Sequence, residues 1–120
     1  MSFLRVFLLT NLILPATVFA ASIWCIGTPK EIFIWGNGSN WLAVDFEEYE
    51  GPWILCDLDS DVSGVSASSC KAMYSAALVA LSATSELKLN FDSTEYASCN
   101  DIPSWTTSLP NSFNIFSIVK

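Results

Sequence analysis

The sequence predicts a mainly β domain with one helix, of α+β class, folded as a five-stranded OB-like barrel in the order β-β-β-α-β-β. Three observations predict it. An almost uncharged helical run passes directly into an alternating strand within residues 66–91 (SASSCKAMYSAALVALSATSELKLNF). Two apolar, aromatic and β-branched runs flank an Asn-Gly pair at residues 37–38, the strongest short-range hairpin signal. A last β-rich run, FNIFSIV, occupies residues 113–119. A helix between the third and fourth strands, plugging one end, is the OB arrangement. An open sheet with one covering helix is the competing arrangement.

Residues 1–20 read as an export signal that is removed. Arg5 precedes an apolar run at residues 6–13, Pro15 follows, and Val18 with Ala20 suits cleavage after Ala20. The run is too short for a membrane span and is broken by Asn11 and Pro15. A single OB-like domain over residues 21–120 is therefore expected, with no membrane insertion after signal removal.

The chain carries 12 acidic and 5 basic residues, a formal net charge of −7. Its one arginine, Arg5, lies in the leader, so removal makes the balance more negative still. Such a charge excludes nucleic acid and anionic membrane surfaces as partners. A hydrophobic content of 52% excludes disorder.

The four cysteines, Cys25, Cys56, Cys70 and Cys99, all follow the leader. An even count in a small exported domain reads as two disulfides, with three possible pairings. Cys56 ends a strand and Cys70 opens the helix, so a short loop can close between them, leaving Cys25 for Cys99. Cys56–Cys99 with Cys25–Cys70 is the next pairing. With no histidine and no matching cysteine spacing, no metal site is expected.

Residues 23–27 read as a short N-terminal lead. Strands are expected over residues 31–35 (EIFIW) and 41–46 (WLAVDF), joined by the Asn-Gly turn. Asn37-Gly38-Ser39 is also a glycosylation sequon, although the turn alone explains it. Glu47, Glu48 and Glu50 with Gly51 and Pro52 mark a solvated turn before a third strand, residues 53–58. Ser68 or Ser69 can cap the helix. Along it, Met73, Ala77, Ala80 and Thr84 share one side, and Tyr74, Leu78 and Leu81 a neighbouring one. The absence of a clear polar stripe means either full burial in its own domain or contact with a partner. Ala76, Ala80 and Ala83 are the small residues expected at such a helix-mediated homo-oligomer interface. Residues 86–91 alternate, with Leu87, Leu89 and Phe91 inward. A Ser/Thr/Asn/Pro-rich connection holding Cys99 and Trp105 leads to the final strand.

Catalytic constellations are wanting. Asp57, Asp59 and Asp61 alternate like the start of a calcium loop, but Val62 stands where glycine is required and Ser68 where the closing glutamate belongs. A solvated acidic loop explains them, as a soluble surface explains the three glutamates of the turn. No histidine or Gly-x-Ser-x-Gly elbow exists to activate a serine. The expectation is no enzyme, no catalytic residue and no cofactor. Among the tryptophans, Trp24 and Trp53 suit core or rim packing. Trp35, Trp41 and Trp105 are the candidate ligand contacts, since exposed rings stack on sugar faces and anchor protein contacts.

Residues 53–56 (WILC), 69–74 (SCKAMY), the Leu78-x-Ala80-x-x-Ala83-Thr84 run and residues 87–89 (LKL) resemble a group of small exported bacterial proteins, mostly of unknown function. The helix-to-strand segment is also similar to the B subunits of subtilase-type AB5 toxins. That resemblance, over about half of the chain after the leader, implies an OB-fold pentamer that binds glycans. Such sequences place glycine after the helix-ending threonine, where Ser85 stands here. No sugar-contacting residue carries over. The reading is an exported, non-enzymatic binding or assembly module for a glycan or protein ligand; a monomeric periplasmic or secreted envelope or inhibitor protein is the alternative.

Overall fold

The computed structural model describes residues 21–36, 38–62, 64–93, 95–105 and 113–119; the expected leader lies outside them. The elements run β1 (Ala21–Gly27), β2 (Pro29–Gly36), β3 (Asn40–Phe46), β4 (Pro52–Asp57), α1 (Ala67–Ala83), β5 (Glu86–Ser93) and β6 (Phe113–Val119). They build two three-stranded antiparallel sheets, β1-β5-β6 and β2-β3-β4. The domain is mainly β with one helix. Among the described residues no helix is long and apolar enough to cross a membrane.

Two expectations change. The five strands are six, because the segment read as a lead pairs with β5 along its whole length, Ala21 opposite Ser93 and Gly27 opposite Leu87. Ile23 and Cys25 point into the core, while Trp24 and Ile26 stay exposed. Strand pairing among the described residues also stays within each sheet and does not close a five-stranded barrel. The sheets are joined instead by the chain itself and by α1, which packs on strands of both.

Only Thr28 separates β1 from β2, so one nearly continuous strand serves both sheets, with the corner between them at Thr28. The turn after β3 clamps that corner. Glu47 N–H donates to the Thr28 carbonyl at 2.9 Å. Thr28 N–H donates to Glu48 Oε2 at 2.6 Å, and Tyr49 Oη donates to the Ile26 carbonyl at 2.8 Å. Gly27 lies flat on the Phe46 ring; a Cβ there would sit 2.7 Å from Phe46 Cδ1. Tyr49 in turn stacks on buried Trp53 at 4.7 Å between centroids.

α1 is capped by Ser66, not by Ser68 or Ser69: the Ser66 hydroxyl accepts the Ser69 N–H at 3.0 Å. It ends at Thr84, which itself takes the left-handed conformation (φ 54°) while Ser85 N–H reaches the Ala80 carbonyl. The left-handed residue sits one position before the site where glycine was expected, at a cost of about 1 kcal/mol. Cys70, Met73, Ala77 and Ala80 form the buried stripe, the i, i+3, i+7 and i+10 spacing of one helical face. They meet Leu42, Val44, Phe46, Leu87, Leu89 and Phe91 in the core.

The disulfides are Cys25–Cys99 and Cys56–Cys70, the first of the pairings weighed from sequence. Their closed loops contribute about 4.5 and about 3 kcal/mol in the chain-entropy account.

Two measurements test the corner. Gly27→Ala forces the Phe46 ring aside and should lower the urea-unfolding free energy by roughly 1–3 kcal/mol with an unchanged slope. For Glu48, burial works against the charge, but hydrogen bonds from the Thr28 hydroxyl and from backbone N–H groups outweigh it, so its carboxyl titrates below the usual 4.5. A lowered folded-state pKa stabilises the fold above the unfolded-state value and loses that stabilisation as pH falls through the folded one. Glu48→Gln should therefore be less stable than wild type at neutral pH and converge with it on acidification. Parallel pH–stability curves would contradict this.

Candidate functional site

Regular β2–β3 pairing decides which side chains share a face. Trp35 stands opposite Trp41, Phe33 opposite Ala43 and Glu31 opposite Asp45. Leu42, Val44 and Phe46 point into the core, so Trp41, Ala43 and Asp45, together with Phe33, Trp35 and Glu31, lie on the outer face. The hairpin turn that sets this register contains Gly38 at φ 82°. Ala43 pairs with Ile54 on the far side, adding one more apolar side chain to that face.

An outer sheet face this apolar needs cover, and the connection after β5 supplies it. The connection is pinned to β1 by Cys25–Cys99 and to the core by Ile102, which is buried. Ser104 lies against Gly51, whose φ of 73° and lack of room both require glycine. Trp105 N–H then donates to the Pro52 carbonyl at 2.6 Å. Trp105 itself is held at φ 56°, a conformation uncommon for a bulky residue. Its ring lies 5.5 Å from Phe33 and 5.9 Å from Trp35, tilted and edge-on. Phe33, Ile34, Trp35, Ile54 and Trp105 enclose a cleft of about 650 Å³.

Of the tryptophans expected at a ligand, Trp35 and Trp105 come together and remain 53% and 46% exposed, enough for a ring to stack on them. Trp41 faces Trp35 across the hairpin but forms no wall of the cleft. Phe33 and Ile54 were missed; the period-two register of residues 31–35 against 41–45 is the signal that places Phe33. Trp53 is buried. Trp24 is exposed at the sheet rim, with Lys88 Nζ 4.5 Å above its ring.

Beside the cleft the outer face carries two carboxylates, Glu31 and Asp45, and one lysine, Lys30. Glu31 is exposed and Asp45 half-buried. Asp45 Oδ2 lies 3.6 Å from Lys30 Nζ, whereas Oδ1 is shielded from solvent without a hydrogen-bond partner.

The helix presents a second surface. Leu78 and Val79 are 40% and 55% exposed, and with Ser82 and Ala83 they line a shallow depression. Of the alanines expected at a partner, Ala83 is exposed and Ala76 half-buried against the core. Ala80 is completely buried in the chain's own core and so is closed to a partner in this fold.

The alternating aspartates cap local backbone. Asp57 accepts the Asp59 N–H at 2.7 Å, Asp59 accepts from the Asn40 amide, and Asp61 accepts the Ala67 N–H at the helix start at 2.9 Å. Among the described residues no group of three His, Cys, Asp or Glu converges on a metal position.

No protein-family model, curated protein or solved structure matches this chain at a significant level.

If Cys25–Cys99 holds the arm that carries Trp105, Cys25→Ser with Cys99→Ser should redshift the tryptophan emission and increase quenching by acrylamide. Removing Cys56 and Cys70 in the same way should leave the Trp105 environment intact at temperatures where the domain stays folded. Equal changes in both variants would separate the arm from its disulfide.

Proposed function

We propose that this chain is an exported, non-enzymatic binding and assembly module of OB type, comparable in role to the glycan-binding B subunits it resembles. The observation that carries the reading is the cleft lined by Trp35 and Trp105. It offers exposed ring faces, on which the apolar face of a sugar can stack, in a concave site of the size small ligands use. The corner at Thr28, where one strand turns from one sheet into the other, and the helix lying on both sheets support the OB reading.

Two disulfides suit an oxidising periplasmic or extracellular site. The exposed Leu78, Val79 and Ala83 support a homo-oligomer formed through α1.

One set of experiments tests both halves. Purified protein lacking residues 1–20 should sediment as an oligomer, and Val79→Glu should yield a folded monomer with unchanged near-ultraviolet circular dichroism. A wild type that is monomeric at micromolar concentration favours the alternative of a single-chain periplasmic or secreted inhibitor or envelope protein. On a glycan array, wild type should retain a ligand that Trp105→Asn loses by at least tenfold, asparagine being tolerant of the left-handed backbone there. Capture of a partner protein with no glycan retained would redirect the reading to protein recognition.

A further inference from the structure

We infer that the cleft selects a glycan carrying a protonated amine, an amino sugar with its nitrogen free, over neutral and acidic sugars. The inference rests on the glycan reading above and adds to it the charge of the ligand.

The described walls, Phe33, Ile34, Trp35, Ile54 and Trp105, are apolar and aromatic. Those walls present exposed π surface: Trp35 and Trp105 meet edge-on and stay about half exposed, with Phe33 packed against Trp105. The negative faces of aromatic rings attract a cation placed over them, more strongly where water is displaced.

The same sheet face supplies the complementary charge. Glu31 lies two residues from Phe33 on one strand, and Asp45 stands opposite Glu31 on the next, so both carboxylates sit one step along the face from the aromatic residues. Among the described residues Asp45 pairs with one cation, Lys30, which is half exposed and lies near one of its oxygens. Its other oxygen has neither water access nor a partner. A carboxylate in so poorly solvated a place projects its field further than one in bulk water. A cation in the neighbouring cleft gains from that field without touching the oxygen. A ligand carboxylate would instead be repelled by Glu31, by Asp45 and by the chain's formal charge of −7.

The test uses two oligosaccharides with one skeleton and different charge: the tetramer of glucosamine and the tetramer of N-acetylglucosamine. Binding to the oxidised protein without its leader is followed by tryptophan fluorescence and calorimetry at about pH 6 in low salt, with a sialylated trisaccharide as the acidic arm and a lysine-bearing peptide as the protein-derived arm. The free-amine tetramer should bind at least roughly fivefold more tightly than the acetylated one, the preference should shrink as salt is raised, and the sialylated sugar should not bind. Glu31→Gln with Asp45→Asn should collapse the preference between the two tetramers, and Trp105→Asn should weaken both.

Equal or tighter binding of the acetylated tetramer, lost with Trp105→Asn, overturns the charge selection and leaves the aromatic cleft as a glycan site. Binding of the lysine peptide alone overturns the sugar as the source of the cation. Absence of any Trp105-dependent binding overturns both the inference and the glycan reading beneath it.

Discussion

The corner at Thr28 is the constraint from which the rest of the domain follows. A strand that serves two sheets changes partners where it passes from one to the other, and its backbone there needs partners outside the ladders. The turn after β3 supplies them: Glu47, Glu48 and Tyr49 each contribute one hydrogen bond. The absence of a side chain at Gly27 lets Phe46 come down on the bend. Once the bend is fixed, the inner faces of both sheets point into one volume, and α1 fills it with Cys70, Met73, Ala77 and Ala80. Small side chains on that stripe allow the helix axis to approach both sheets closely. Large ones would hold it off.

The corner also explains why the binding surface lies where it does. With the inner face of β2-β3-β4 committed to the core, the outer face is left to meet solvent, yet Phe33, Trp35 and Ile54 make it apolar. Trp105, carried by the connection after β5, covers part of it. Because that arm is held by a disulfide, a buried isoleucine and a backbone hydrogen bond, its aromatic wall is in place before any ligand arrives. Preorganisation of this kind spares the ordering cost that a mobile loop would incur on binding.

Much of this architecture was legible in the residues. The Asn-Gly hairpin, the charge-poor helix and the Leu87, Leu89, Phe91 alternation each carry a local signal strong enough to stand without tertiary information. Strand β1 was not legible, since a run interrupted by Cys25 and ended by Gly27 resembles a lead until its partner strand, far along the chain, is known. The helix start moved to Ser66 because several serines offer the same hydroxyl, and only the backbone path decides which one caps. Trp35 and Trp105 could be marked as candidate contacts from residue type, whereas Phe33, Ile54 and Asp45 required the cross-strand register. Ala80 shows the opposite error. Small size suits a residue equally to a partner helix and to a tight internal contact, and here the internal contact claims it.

The two disulfides also differ in how readily their loops close. Cys56 and Cys70 are 14 residues apart, and Cys25 and Cys99 are 74 apart, so the short loop lies entirely within the long one. Bringing the distant pair together costs about 1.5 kcal/mol more in chain entropy, and it also has to wait for β1 to find β5. The near pair needs only the end of β4 and the first turn of α1. Loop entropy alone thus favours closing Cys56–Cys70, which tethers the helix to its sheet, over closing Cys25–Cys99, which pins the arm that carries Trp105. A chain with only the short loop closed lacks the covalent tie that holds its aromatic wall.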